Sequence, residues 1–352
     1  QKTSPTAPKN SFRCSWTTKG DFMSFVRTLL GDISPKDMGF TLAHEHIVCK
    51  PPYWVEKREN DLLLDDPERS RQEVLDFYNS GGRTIVDATA VDYGRDVKAV
   101  ADIARATGVN IIGTAGFNKS FLWSASLPAH LRELTGGYDT YQAWVECSSV
   151  EALTDFVSTE VSQGIEGTRY RAGQVKFGTG YNSISPLEIK TMEVAAAVHF
   201  ETDVPIHSHT EAGTMGLQQM EILKNLGVPI QRVSFGHMDR NLDLWYHRKL
   251  AEEGAFLCFD GVGKIKYHTE SALIQHIFQL VKDGFEEQIL LSGDTARRSY
   301  YTRYGWGPGL SYPLKWFIPQ LKDMAAQQGL DGDKLVHKFY FENPIRCMAF
   351  GK

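Results

Sequence analysis

Cysteine is scarce and scattered: Cys14, Cys49, Cys147, Cys258 and Cys347 are odd in number, far apart and without a C-x-x-C pair. That argues against a disulfide framework and a thiolate zinc site, and predicts a reducing cytoplasm as the compartment. Lys and Arg never gather into a run and the formal net charge is −5, so the basic stripe that nucleic-acid binding needs is missing. No apolar stretch approaches the roughly 20 residues of a membrane span, and the N-terminus has no apolar signal core. Neither nucleic acid nor a membrane is an expected partner. There is no G-x-S-x-G elbow to present a nucleophilic serine. There is also no internal repeat and no low-complexity linker, so one domain is expected over 23–352. Residues 1–22 are polar and aperiodic and read as a leader, tag remnant or upstream extension.

What the chain does have is a succession of short β-branched or aromatic runs, each ending in polar or small residues. They are FTLAHEH (40–46), TIVDATA (84–90), NIIGTAG (110–116), AGQVKFG (172–178), PIHSHT (205–210), RVSFGHM (232–238), AFLCFDG (255–261) and ILLSGDT (289–295). Helical signals separate them. Ser185-Pro186 with Glu188 makes a capping box, and Asp66-Pro67 opens a second helix that Gly81-Gly82 closes. Eight buried strands alternating with helices predict an α/β protein, a single-domain (β/α)8 TIM barrel. An open doubly wound sheet is the alternative, but it would carry a Gly-rich phosphate loop after its first strand, where HEHIVCKPPYW stands instead. The interval 117–171 is the longest and carries an aromatic insert.

In such a barrel, chemistry sits at the carboxyl ends of the strands. Those ends hold His44 and His46, Lys176, His209, His237 and Asp294. Within a strand, i and i+2 face one side, so His44 and His46 project together and Glu45 points away. A lone strand histidine is more often a hydrogen-bonded core residue than a ligand. Six potential ligands on one rim reverse those odds, and imidazole with carboxylate suits zinc or a similar divalent ion. Lys176 stands among apolar neighbours. Burial would lower its pKa and leave a neutral amine able to add CO2, and the resulting carbamate, N6-carboxylysine, could bridge two cations.

The pieces TLAHEH, VDATAVDYGRDV, RAGQVKFG, VPIHSHT, VSFGHMDR and LSGDTARRS, from about Gly39 to the ENP at 342–344, resemble the phosphotriesterase family of binuclear-metal amidohydrolases. The resemblance implies that His44, His46 and Asp294 hold one metal and His209 and His237 the other, with carboxylated Lys176 between them. It implies two divalent ions, Zn with Mn or Co as alternatives, and a homodimer would fit the family. The family pattern V-P-x-x-x-H-T selects His209 over His207. A hydroxide bridging the metals would attack, with Asp294 moving the proton.

The substrate is left to the loops. Strands seven and eight lead into FDGVGKIKYH and DTARRSYYTRY, which place Lys264, Lys266, Arg297, Arg298, Tyr300 and Tyr301 near the centre, with Tyr93, Tyr53 and Trp54 beside them. Cations clustered there favour an anionic substrate, because without an anion each would be desolvated unpaired. The patterns FNKSFLW, FDGVGKIKY and GDTARRSYY resemble the bacterial branch that hydrolyses phosphorylated sugar lactones, which implies aldono-1,4-lactone 5-phosphates as the substrate class. Organophosphate triesters and N-acyl amides are the alternatives on the same centre, and a non-catalytic ligand-binding barrel is the alternative from another class. Arg240 and Gly261 depart from the phosphotriesterases proper, which have an aspartate and a His or Arg there, whereas Asp239 and Asp260 lie nearby.

Overall fold

The computed structural model describes residues 24–351, so the expectation for residues 1–22 lies outside the described residues. All eight expected strands form: β1 (Thr41–Glu45), β2 (Thr84–Asp87), β3 (Asn110–Gly116), β4 (Ala172–Thr179), β5 (Ile206–Thr210), β6 (Val233–Phe235), β7 (Phe256–Phe259) and β8 (Ile289–Leu291). They lie side by side in chain order and every neighbouring pair is parallel. The ring closes just beyond β8, where the Asp294 amide donates to His44 O at 3.0 Å and Ser292 Oγ accepts from the His44 amide at 3.0 Å. The fold is the expected (β/α)8 barrel.

Several strands end sooner than the apolar runs predict. β6 stops at Phe235 rather than Met238, and β8 at Leu291 rather than Thr295. The reason is conformational. His237 (φ 64°) and Asp294 (φ 40°) occupy left-handed backbone, which no parallel ladder accommodates and which an L-residue adopts only at a cost. The turns that end the ladders swing these two side chains toward the barrel mouth.

The two anticipated helices run over Pro67–Asn79, capped by Asp66, and Pro186–Thr202, where Ser185 and Glu188 complete a reciprocal capping box. The long interval after β3 folds into helices Ala129–Thr135, Tyr141–Cys147 and Val150–Ser162. Among the described residues no helix is long and apolar enough to cross a membrane.

A hairpin that periodicity did not reveal, Val26–Thr28 with Gly31–Ile33, covers the amino ends of the strands, and its Leu29 amide donates to Ile111 O at 2.8 Å. Ala43, Val86, Ile112, Phe256, Cys258 and Leu290 form a separate apolar cluster with Val26, Met38, Cys347 and Met348. That cluster closes the amino end and leaves the carboxyl end to polar residues.

One buried charge cluster braces the long insert. Arg95 donates to Glu160, to Glu166 Oε1 at 2.8 Å and to Thr114 O at 2.6 Å. Burial raises the Glu160 carboxyl to about 7 even with Arg95 opposing the rise. Replacing Arg95 with Met strands two carboxylates beside each other, so we expect a loss of about 3–5 kcal/mol. Urea unfolding with an unchanged m-value measures it; a loss below about 1 kcal/mol would remove the brace from the account.

Candidate metal centre

The centre begins with an irregularity in β1. Leu42 pairs with Ile85 but Glu45 with Asp87, so one extra residue is inserted in β1, a bulge of the kind that re-aims side chains. His44 and His46 emerge on the same side, ring centroids 5.7 Å apart. Glu45 faces away, and its carboxylate accepts from Ser292 Oγ, the Gly293 amide and the Thr295 amide, each at 2.7 Å. The acid of His-Glu-His thus ties β1 to the segment that presents Asp294.

Asp294 Oδ1 lies 3.8 Å from His44 Nε2 and 3.6 Å from His46 Nε2, and donor atoms of these three residues all fall within 4.8 Å of one another. His46 is oriented by Thr89 Oγ1, 2.8 Å from its Nδ1. His44 Nε2 is buried and meets no hydrogen-bond partner among the described residues. A second such set joins His44, His237 and Asp260. Asp260 reaches His237 Nδ1 at 2.7 Å and His44 Nδ1 at 3.0 Å, a span that sequence reasoning missed although FDG at the end of β7 marks the residue. His209 Nδ1 is 2.8 Å from His237 Nε2, and its Nε2 is 2.8 Å from Glu211 Oε2.

His44, His46, Lys176, His209, His237 and Asp294 all line one chamber of about 200 Å³ at the barrel mouth. His207 is not among its lining residues: it lies behind His44, Nε2 3.0 Å from His44 Nδ1, with Ser234 Oγ on its other nitrogen.

Burial sets the protonation states. It holds His46 and His209 far below the ordinary imidazole range, and with help from Arg240 it brings His237 down to about 3. Neutral imidazole is the form that binds a cation. Burial also pulls the Lys176 amine down to about 8, and its Nζ donates to Ala88 O at 2.9 Å. The Lys176 strand is approached closely by Gly116 (φ 86°), where a Cβ would lie 2.3 Å from Lys176 O. For Asp294, burial works to raise the carboxyl, but the charges of Lys264 and Arg240 oppose it and the acid is held well below the usual carboxylate range. Its Oδ2 accepts from Lys264 Nζ and Arg240 Nη2, both at 2.7 Å, while Oδ1 faces the imidazoles. Neutral imidazoles, an ionised carboxylate and a readily deprotonated amine together suit divalent cations.

Tyr93, Lys264, Lys266, Arg297 and Tyr300 also line the chamber. Lys264 and Lys266 sit over the Tyr300 ring at 5.1 and 5.6 Å from its centroid. Arg298, Tyr301 and Tyr53, which the sequence placed beside the centre, are not in its lining. Arg298 opens the short turn Arg298–Tyr300 and Tyr301 follows it. Arg298 donates to Leu63 O at 2.7 Å and to Asp65, the buried Tyr301 hydroxyl donates to His46 O, and Tyr53 packs on Phe121 at 4.7 Å. The two departures from the triesterase pattern also have a physical account. A Cβ on Gly261 would lie 2.1 Å from Asp239 Oδ2, so that space belongs to Asp239, whose Oδ1 accepts from the Asp260 amide at 3.0 Å. Arg240 contacts Asp294 directly instead.

The solved lactonase from Listeria monocytogenes superposes with a TM-score of 0.93 at 57% identity, over 94% of this chain and 100% of that one. A phospho-furanose lactonase of Mycoplasmopsis agalactiae is 33% identical over 344 residues, 93% of this chain and 92% of its own. The phosphotriesterase homology protein of Escherichia coli, solved with phosphate in its active site, gives a TM-score of 0.77 at 32% identity over 88% and 98% of the two chains. The model of the phosphotriesterase family matches residues 24–348, nearly all that the structure describes. With barrel, chamber and relatives in agreement, the chain belongs to the phosphotriesterase family of hydrolytic enzymes.

Proposed function

We propose that this chain is a metal-dependent lactonase that opens aldono-1,4-lactones bearing a 5-phosphate, working in a reducing cytoplasm. The observation that carries the reading is the placement of Lys264, Lys266 and Arg297, with Tyr300, on the wall of the same small chamber as the histidines and Asp294. Lys264 already pairs with Asp294 and Arg297 with Asp61, and a phosphate would add the anion that completes this cationic wall with Lys266, as a neutral triester would not. The names of two relatives, a phospho-furanose lactonase and a lactonase, and the phosphate in the active site of a third support it.

In this reading His44, His46 and Asp294 hold one ion and His209 and His237 the other. Lys176, as the carbamate that forms when its neutral amine adds to the carbon of CO2 and loses a proton, would serve as a ligand shared by the two ions. Two divalent ions, zinc first with manganese and cobalt as alternatives, supply Lewis acidity and a hydroxide nucleophile at neutral pH when bound. Asp294 takes the proton of the nucleophile on its carboxylate. As the C1–O4 bond of the ring breaks, it returns that proton to the departing O4, leaving a carboxylate on C1 and a hydroxyl on C4. Lys264 and Arg240 hold Oδ2 so that the carboxylate keeps its orientation. Lys266, Arg297 and Tyr300 grip the 5-phosphate, and Tyr93 lines the wall beside His46, their ring centroids 4.9 Å apart.

Proton release from a pentono-1,4-lactone 5-phosphate and from the same lactone without phosphate tests this. With the metal-loaded protein, kcat/KM is expected to be about a hundredfold or more higher for the phosphorylated compound. Equal rates would remove the role given to the cations, and faster turnover of a paraoxon-like triester or an N-acyl amino acid would move the assignment to those classes.

A further inference from the structure

Asn118 stands just beyond the end of β3, 3% exposed, and is one of the residues that line the chamber. Its backbone is fixed from behind: the Asn118 amide donates to both carboxylate oxygens of Asp92 at 2.9 Å, and the same carboxylate accepts from Trp123 Nε1 at 2.5 Å. The next residue, Lys119, is engaged by Glu211, which also holds His209. Arg240 and Lys264 are engaged by Asp294. Asn118 Oδ1 is different. It is buried, and among the described residues it meets no donor. A buried carbonyl oxygen left without a donor is costly, and folded proteins rarely keep one without a use.

The barrel order says where this oxygen lies relative to the cations. In a ring of eight strands β3 stands opposite β7, so the β3 loop faces the loop of Lys264 and Lys266 across the mouth. A furanose lactone held by its 5-phosphate on the β7 and β8 side would turn its C2 edge toward β3. C2 is the ring carbon farthest from C5 that bears a hydroxyl. An amide oxygen suits that group, since it accepts an O–H hydrogen bond without placing a second negative charge near a phosphorylated substrate.

We propose that the Asn118 amide accepts a hydrogen bond from the C2 hydroxyl and makes the enzyme select 2-hydroxy over 2-deoxy lactones. The assignment rests on the phosphorylated-lactone reading above. A site built to hydrogen-bond a hydroxyl rejects the analogue lacking it, because the polar group is then left unpaired.

The test compares kcat/KM for the pentono-1,4-lactone 5-phosphate that the metal-loaded protein hydrolyses fastest with that for its 2-deoxy counterpart. Both carry the phosphate, so their ratio cancels effects common to anion binding. The wild type is expected to prefer the 2-hydroxy lactone by roughly tenfold or more, and Asn118→Ala to reduce that preference to within about twofold. Asn118→Asp keeps an acceptor oxygen and is expected to keep the preference while raising KM for both lactones. Because Asp92 grips the backbone rather than the side chain, both variants retain the loop, and thermal unfolding checks this. An unchanged ratio in Asn118→Ala, or no preference in the wild type, overturns the assignment and leaves the lactonase reading standing. No turnover of any phosphorylated lactone by the wild type overturns both.

Discussion

Asp294→Asn is expected to lower kcat for lactone opening by about a thousandfold with little change in KM. The substitution is nearly isosteric and leaves the Asp294 backbone bond to His44 O untouched, so the barrel closure survives. What it removes is a carboxylate kept ionised in a buried chamber by Lys264 and Arg240 acting against desolvation. An amide cannot accept the nucleophile's proton or return it to the ring oxygen. The loss therefore falls on the chemical step and not on substrate binding. Metal content measured on the same preparation separates lost proton transfer from lost ligation. A variant that keeps both its metal and kcat within about tenfold of the wild type would show that Asp294 does not carry the proton.

Removing the cations at the mouth should act on the other kinetic parameter. Lys266→Ala and Arg297→Ala are each expected to reduce kcat/KM for the phosphorylated lactone by about ten- to a hundredfold, the equivalent of one charge-assisted hydrogen bond. The unphosphorylated lactone should be hydrolysed by both variants at nearly the wild-type rate. Arg297 is steadied at the rim by Asp61 Oδ2 at 3.2 Å, and Lys266 lies over the Tyr300 ring, so each is already placed before substrate arrives. In the double variant the ratio between the two lactones should approach unity. If the ratio persists there, the phosphate is held elsewhere, with Lys119, Arg240 and Lys264 the other cations in the chamber besides the buried Lys176.

The barrel was legible in the sequence because buried parallel strands leave unbroken apolar runs, and each of the eight runs holds one strand, β4 extending a single residue past its run to Thr179. Residues at the ends of those runs were legible for the same reason: a polar group that interrupts an apolar strand near its carboxyl end is a candidate for the mouth, although Glu45 and His207 turn elsewhere. Periodicity reports burial, however, and not where a ladder stops. It could not show that His237 and Asp294 leave their strands through left-handed backbone. It also could not show that one extra residue in β1 is what re-aims His44 and His46. Glu45 was expected only to point away, whereas its partners at Ser292, Gly293 and Thr295 come from the far end of the chain and are visible only once the ring is closed. Arg298 and Tyr301 belong to the same cationic, aromatic loop as Arg297 and Tyr300, and only the turn between them separates lining residues from structural ones. Asp260 and Asn118 carried a polar side chain at a strand end but no spacing signal, so composition could not rank them.

Counting metal ions in wild-type protein and in Lys176→Met, each produced with added zinc and assayed beside its hydrolysis of the phosphorylated lactone, addresses the centre directly. With the buried amine in place, about two equivalents per chain are expected; with methionine there, fewer than one and almost no hydrolysis. A methionine variant that still holds two ions and works at the wild-type rate would contradict the account.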